Sequence, residues 1–419
     1  MAMNNLVFAI VIAVGYLALA GASAWIALDS TDISTLWLAS GLTLGALAGR
    51  HPQTWPGTLI GAAIGSGAFA ILTGSAWPDA AVYALIEVVA AAVGAGLVLM
   101  LAGSPLRLDT LRSLWALILG GVVVMSVTGG VAAAAWQHLG GEPGVPELFR
   151  SWLASNFVGS LLIAPAVVAW LQSTPGTGDE SPLPFAGGAI AFVLFVAGVL
   201  LIFVDDPGRR HDDVVTFLPL LPLALVALLW GVRGATLAAI SGASIAVAMT
   251  ERGSGPFAAD GSWLGDPVLE AQACTLAIAL TALLVAVLVE AQRMALRSAR
   301  EWQARVTTAI DSHNLIAYEW DPRTGSLTLT GDAPRVLGFP AESVGTLDQW
   351  LQRVPRTLRD DVSRRFETRK GGEGYADVTS YPLAGADGSQ VVVSDEARAV
   401  LNEDGTLYCV AGFIRRVER

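Results

Sequence analysis

Long apolar runs fill this chain up to about residue 290, and the remaining stretch to Arg419 is rich in Arg, Asp and Glu. A helix that crosses a bilayer needs about 20 mostly apolar residues, and somewhat fewer inside a bundle. Ten runs meet or approach that length: 6–28, 33–49, 55–73, 79–102, 113–138, 150–171, 187–204, 214–231, 234–250 and 267–291. The eighth and ninth runs would alternatively form one long helix broken at residues 231–234. The sequence therefore predicts a polytopic α-helical membrane bundle of about 8–10 spans, followed by a small soluble α+β domain.

Composition limits the partners of the chain. Charged residues make up 15% of it, against about 25% in soluble domains. The net charge of −11 argues against a nucleic-acid partner, which would require a basic face. Cys274 and Cys409 are too few for a disulfide framework or a zinc site. The first run is longer than a signal-peptide core and has no basic flank before it, so we predict that it stays in the bilayer as a span.

Basic residues predict the orientation of the bundle. With ten spans and a cytoplasmic amino terminus, the inside segments carry Arg50, Arg107, Arg112, Arg233, Arg293, Arg297 and Arg300. The outside segments carry Arg150, Arg209, Arg210 and Arg252. Because cytoplasmic loops of membrane proteins are enriched in Lys and Arg, this excess places the soluble domain in the cytoplasm.

Polar residues within the apolar runs are the candidates for sensing a stimulus. Glu87 lies in the middle of a run, and an ionisable group at that depth is costly and by default functional. The alternative is a buried carboxylate that only bonds neighbouring helices. Asn156, Glu270 and Gln272 are weaker candidates, for which interhelical packing is the favoured interpretation. Because the loops between the runs are short, any stimulus is expected to be read by the bundle itself.

Several motifs of the apolar region resemble the bacterial membrane-associated sensor family (MASE, type one). They are Leu-Trp-Leu-Ala-Ser-Gly at 36–41, Gly-Arg at 49–50 and Trp-Pro-Gly at 55–57, with further matches at 152–165, 217–219, 230–234 and 253–257. The ordered set covers about residues 6–291. Leu38 and Ala39 stand where the family usually has Pro-Pro. The family is usually drawn with eight spans, and its members form sensory regions of diguanylate cyclases and histidine kinases. The resemblance implies a multi-pass protein of the bacterial inner membrane with an unidentified small-molecule or membrane stimulus.

Residues 292–310 form the predicted helical connector. Apolar residues recur at steps of three and four and form a seam: Leu288, Ala291, Ala295, Ala299, Trp302, Val306 and Ala309. Such a seam favours pairing with a second copy in a homodimer, and the alternative is a short amphipathic helix that lies on its own domain. Leu288, Ala295, Trp302 and Val306 are therefore candidates for signal relay.

Residues 311–419 predict an antiparallel five-stranded sheet with helices on one face. The strands are expected at 315–321, 326–330, 375–383, 390–400 and 406–415, and the helices within 333–350 and 360–369. Asp-Gly pairs at 387–388 and 404–405 are strong hairpin signals. The order of elements, with Glu-Trp-Asp at 319–321 and Val-Leu-Gly-Phe at 336–339, resembles a PAS domain. Arg415 stands where PAS domains usually keep the acid that couples them to the next domain, so it is a further relay candidate.

No catalytic residue and no haem, flavin or metal signature is recognised, so the cofactor stays unknown. We expect the aromatic residues of the PAS-like region to be core packing: Tyr318, Trp320, Phe339, Trp350 and Tyr381. The expected function is the input region of a receptor, not itself an enzyme, whose full-length form has a diguanylate cyclase or histidine kinase output. That output belongs to cyclic di-GMP signalling or to a two-component system. A transporter or channel with a regulatory PAS domain is one alternative, and a complete scaffold without output is another.

Overall fold

The computed structural model describes residues 2–26, 36–141, 143–172, 182–204, 218–257, 267–370, 377–402 and 404–417. The chain divides into two compact units, Met1–Met294 and Ala295–Arg419. The beginnings of the predicted runs 33–49 and 214–231 and of the predicted strand 375–383 lie outside the described residues, as do Arg209 and Arg210.

The first unit is helical. Its helices are α1 (Ala2–Ile26), α2 (Leu38–Ala48), α3 (Trp55–Leu72), α4 (Trp77–Ala102), α5 (Leu111–Leu139), α6 (Val145–Leu171), α7 (Pro182–Phe203), α8 (Leu220–Glu251) and α9 (Pro267–Ser312). Within the described residues, all of these except the short α2 are long and apolar enough to cross a membrane, which makes eight. The predicted polytopic membrane bundle is therefore confirmed.

Close contacts at glycines show the direction in which neighbouring helices run. A Cβ on Gly57 of α3 would lie 2.7 Å from the carbonyl oxygen of Asn5, and one on Gly65 would lie 2.7 Å from the Cβ of Tyr16. Helices α1 and α3 are therefore parallel and begin on the same side, which we call the amino-terminal face. Only residues without a side chain allow backbones to approach so closely, as is typical of packed membrane helices.

Helix α8 contains a break at Gly231, whose φ of 64° and ψ of −154° are not helical. Contacts with α7 show the direction of the two halves. Before the break, Gly198 contacts Pro219 and Gly188 contacts Trp230. After the break, Phe195 contacts Gly242 and Phe203 contacts Gly255. The first half therefore runs antiparallel to α7 and the second half runs parallel to it. The two apolar runs predicted here are thus two passes through the bundle, joined at Gly231.

Helix α2 begins in the middle of the bundle. The Trp37 backbone N–H donates to the carbonyl oxygen of Ser155, midway along α6, at 3.1 Å. From there α2 runs beside the second half of α6, until Gly49 packs against Leu171. It also runs antiparallel to α1, because Leu38 contacts Ser23 and the later residue Leu42 contacts the earlier Gly15. The chain thus returns to the amino-terminal face before α3 begins.

The described helices return the chain to the face on which α1 begins. Eight helices are long and apolar enough to cross a membrane, α8 reverses direction at Gly231, and α2 runs from mid-bundle to the amino-terminal face. Near the end of the membrane part of α9, Arg293 Nη2 donates to the Leu228 carbonyl at 2.9 Å, one turn before Gly231. Arg233, just after Gly231, donates to Ala169 near the end of α6 at 3.2 Å. The membrane part of α9 therefore ends on the amino-terminal face, where α1 begins.

The second unit is a five-stranded antiparallel sheet with helices between its second and third strands. Its elements are β1 (Leu315–Trp320), β2 (Leu327–Thr330), α10 (Ala333–Leu337), α11 (Leu347–Arg353), α12 (Arg359–Arg369), β3 (Asp377–Ala384), β4 (Gln390–Leu401) and β5 (Leu407–Arg416). The strand order is β2-β1-β5-β4-β3. This is the predicted fold class, and the five predicted core aromatics are all buried in its hydrophobic core. Arg415 is exposed on β5, where it pairs with Leu315 and Ser394.

Helix α9 is continuous from Pro267 to Ser312 and includes the predicted connector. Its seam residues are not covered within one chain: Leu288 is 50% exposed and Trp302 is 69% exposed. Ala295 is also exposed, and Val306 is half-buried.

Candidate sensing site in the membrane bundle

The start of α2 places backbone donors at mid-depth in the bundle. The first N–H groups of a helix have no partners within the helix and carry a partial positive charge. Here the N–H of Leu38 donates to Ser23 Oγ on α1 at 3.0 Å, while Trp37 is held by Ser155 on α6. The partially positive amino-terminal end of α2 thus lies inside the bundle.

Glu87 of α4 reaches the first turn of α2. Its side chain is 4% exposed, and its Oε2 accepts a hydrogen bond from the Ser40 hydroxyl at 2.8 Å. Among the described residues, the other oxygen, Oε1, is buried without a hydrogen-bond partner. A negative or strongly accepting group is stabilised beside a helix amino terminus, and this explains why Oε2 lies at the first turn of α2. It leaves Oε1 able to accept a proton or a donor from elsewhere.

Hydroxyl groups surround this carboxyl group. Thr43, one turn after Ser40, is also buried, and its side chain interacts with the same carboxyl group. The Tyr16 side chain on α1 is 1% exposed and interacts with Glu87 as well as with Ser66 of α3. Side chains of α1, α2 and α4 therefore interact around Glu87, and Ser66 of α3 is linked to them through Tyr16.

The other predicted sensing residues do not join this cluster through the bonds that the structure resolves. The Asn156 amide donates to the carbonyl oxygen of Trp152 in its own helix at 3.1 Å. Glu270 and Gln272 are buried on the first turns of α9. Gln272 lines a groove together with Arg150 of α6. The set predicted from the sequence therefore separates into Glu87, Asn156 and the start of α9.

The second unit contains a buried polar network that the sequence alone did not reveal. Asp395 of β4, 1% exposed, accepts hydrogen bonds from the Tyr318 hydroxyl at 2.8 Å and the Tyr381 hydroxyl at 2.9 Å. The guanidinium group of Arg369, the last residue of α12, donates to Asp395 at 3.0 Å and to Tyr318 at 2.8 Å. The Trp350 indole donates to the Tyr381 hydroxyl at 3.2 Å. The network ties α12 and α11 to strands β1, β3 and β4.

Burial and charge shift the ionisation of this network. Burial, and then the Asp395 carboxylate, raise the pKa of Tyr381 well above its usual value. Burial alone would lower the pKa of Arg369, but Asp395, Tyr318 and Tyr381 together outweigh it and raise that pKa. The two shifts keep Tyr381 neutral and Arg369 charged at physiological pH. The sequence nevertheless indicated that Asp395 faces the core, because it continues the alternation of Val391, Val393 and Ala397.

Comparison with known proteins gives one family and six chains of known structure, including the following two. The MASE1 family model matches residues 6–293. The N-terminal domain of a diguanylate cyclase with PAS/PAC sensor from Marinobacter aquaeolei is 18% identical, with a TM-score of 0.23, over 24% of this chain and 94% of that one. A sensory box histidine kinase/response regulator from Burkholderia thailandensis is 17% identical, also with a TM-score of 0.23, over 27% of this chain and 84% of that one. No curated protein matches the chain.

Proposed function

The chain belongs to the MASE1 family, and on that basis we propose that it is the input region of a membrane receptor in which Glu87 takes part in sensing. It is a multi-pass membrane protein with a membrane sensor region. In this proposal the bundle reads the stimulus and α9 carries it out of the membrane. The second unit lies in the cytoplasm of a bacterial cell, relays the signal, and in the full-length protein acts on a diguanylate cyclase or histidine kinase output.

The observation that carries the sensing role is the free oxygen of Glu87. An ionisable side chain that only held helices together would be expected to use both oxygens, because an unsatisfied buried acceptor costs about 1–3 kcal/mol. Among the described residues, Glu87 makes one hydrogen bond of normal geometry, from Ser40 to Oε2, and Oε1 makes none. Protonation of Glu87, or a bound donor, would alter the hydrogen bond to Ser40 and so act on the first turn of α2.

The location of both ends of the bundle on one face supports the cytoplasmic placement of the second unit. The amino terminus of α1 and the exit of α9 lie on one face, so the positive-inside prediction for the first helix also applies to α9. The exposed seam of α9 supports a homodimer, because Leu288 and Trp302 would be covered by their copies. A shift or rotation of the paired helices is then the proposed means of transmission.

Disulfide cross-linking tests both the dimer and the role of Glu87. In a background with both native cysteines changed to serine, Ala299→Cys on the seam is expected to cross-link in membranes, whereas Arg300→Cys off the seam is not. Adding Glu87→Gln, which removes the charge but keeps the shape, is expected to change the Ala299→Cys cross-linking rate severalfold. Glu147→Gln, an exposed carboxylate on α6, is the matched control and leaves the rate unchanged. Equal cross-linking at both positions would contradict the dimer. A rate unaffected by Glu87→Gln would assign Glu87 to packing.

A transporter is the second candidate function, and the start of α2 in the middle of the bundle favours it. Secondary transporters bind substrates near the bilayer midplane, at helices whose broken ends point into the site. Helix α2 begins at that depth beside a buried carboxyl group. Proteoliposomes loaded with a panel of organic anions, cations and sugars distinguish the two functions. A receptor gives no flux above that of empty liposomes, and flux that Glu87→Gln abolishes would establish the transporter.

A further inference from the structure

An apolar groove with one arginine at its rim opens on the first unit between α5, α6 and α9. Its volume is about 430 Å³. The apolar walls include Val127 of α5, Leu153 and Phe157 of α6, and Leu276 of α9. Among its described lining residues, Arg150 and Gln272 are the only polar ones. Because α5, α6 and α9 are each long and apolar enough to cross a membrane, the groove lies within the membrane-spanning part of the first unit.

The position of the charge along the groove matches the polarity of a lipid. Arg150 lies in the second turn of α6, near the end of the bundle opposite the amino-terminal face. The apolar wall continues along α6 as far as Val158, which at 1.5 Å per residue is about 12 Å deeper in the bilayer. A charge at the interface followed by an apolar channel toward the midplane fits a headgroup and an acyl chain in that order.

Arg150 is available for a phosphate group. Its side chain is exposed, and no carboxylate among the described residues forms an ion pair with it. The nearest acid along α6, Glu147, does not line the groove, and neither does the buried Glu270 of α9. A planar guanidinium group binds phosphate oxygens in a bidentate manner, which gives it an advantage over a simple point charge.

We infer that this groove binds a bilayer phospholipid, with the phosphate on Arg150 and an acyl chain along Leu153, Phe157 and Leu276. Helix α9 forms one wall, and α9 is the helix that continues out of the bundle to Ser312. Occupancy of the groove therefore acts on α9 directly. The effect on signalling rests on the proposed function, whereas the binding itself does not.

Photo-labelling of the intact chain tests the binding. The probe is phosphatidylglycerol with a diazirine on its acyl chain, diluted in phosphatidylcholine nanodiscs, and the labelled peptides are mapped by mass spectrometry. Label is expected to concentrate at the peptides of Leu153 to Phe157 and of Leu276. Arg150→Gln is expected to reduce it about fivefold, the factor that corresponds to one basic residue near an anionic lipid. Unlabelled phosphatidylglycerol competes, and inorganic phosphate does not.

Two pairs of variants make the outcome decisive. Ala154→Trp fills the groove and is expected to abolish its labelling, while Leu171→Trp on the exposed end of the same helix does not. Arg252→Gln, an arginine at the same end of the bundle that stacks on Trp25, leaves labelling unchanged. Uniform labelling of all lipid-facing helices, or insensitivity to both Arg150→Gln and Ala154→Trp, would overturn the site. If the wild-type groove is labelled but Ala154→Trp does not change Ala299→Cys cross-linking, the lipid site is upheld and its link to α9 is rejected.

Discussion

Asp395→Ala is expected to destabilise the second unit by about 3–5 kcal/mol, the typical cost of removing one partner from a buried ion pair. The substitution leaves the Arg369 guanidinium group charged at a site where its side chain is 4% exposed. It also removes the acceptor of two buried tyrosine hydroxyls, Tyr318 and Tyr381. Both losses act in the same direction, because each leaves a polar group buried without its bond. A loss of this size is a large share of the total stability of a small domain.

Hydrogen–deuterium exchange of the full chain in nanodiscs measures this loss strand by strand. Amides of β4 and β5 are expected to lose protection in Asp395→Ala, while those of the membrane helices keep it. The control is Glu367→Ala, which removes the surface ion pair with Lys370, whose side chain is 32% exposed. Exposed pairs contribute about 0–1 kcal/mol, so protection in the control stays close to that of the wild type. Comparable losses in both variants would show that Asp395 is not the buried centre of this unit.

A double variant separates the charge from the position. Asp395→Leu together with Arg369→Met removes both charges and fills the space with apolar side chains. Replacement of a whole buried pair is often neutral, whereas loss of one partner is not. The double variant is therefore expected to be more stable than Asp395→Ala, although the hydroxyl groups of Tyr318 and Tyr381 still lack their acceptor. If it is less stable, the tyrosine bonds and not the ion pair dominate the network.

The network illustrates what a strand pattern predicts and what it does not. Period-two alternation along β4 indicates that position 395 faces the core with Val393 and Ala397. A carboxylate there requires a cationic or donor partner. That partner, Arg369, is the last residue of a helix 26 positions away, and strand alternation carries no information about it. The core aromatics were predicted as a group, because burial of large apolar rings is a property of the residue type.

The membrane bundle shows the same limit in another form. Hydropathy located the apolar runs, since length and composition alone decide whether a helix is able to cross a bilayer. It left open whether residues 214–250 cross once or twice, because direction depends on one backbone conformation, that of Gly231. Glu87 was identified as an isolated acid in an apolar run. Its partner Ser40 is 47 positions away on a helix that begins in mid-bundle, and hydropathy does not predict such a start.

Gly159→Ala is expected to lower the stability of the bundle, whereas Gly96→Ala is not. A Cβ at position 159 of α6 would overlap the carbonyl group of Trp37, immediately before α2. A Cβ at position 96 of α4 would meet no atom within 4 Å. Alanine favours a helix by about 1 kcal/mol over glycine, so Gly96→Ala is neutral or stabilising. At Gly159 the backbone of Trp37 must shift, and overpacking of this kind costs about 1–3 kcal/mol.

Thermal unfolding of the two variants in detergent measures the difference, and the cross-linking assay shows where it acts. The bond from Trp37 N–H to Ser155 lies one turn from Gly159, so a shift of Trp37 also moves the start of α2. Ser40 is in the first turn of that helix, and its bond to Glu87 is expected to lengthen with the shift. Gly159→Ala should therefore change Ala299→Cys cross-linking in the same direction as Glu87→Gln, even at temperatures where the bundle is folded. If Gly159→Ala is as stable as Gly96→Ala, the start of α2 does not pack against α6. The contact that positions Ser40 beside Glu87 is then lost.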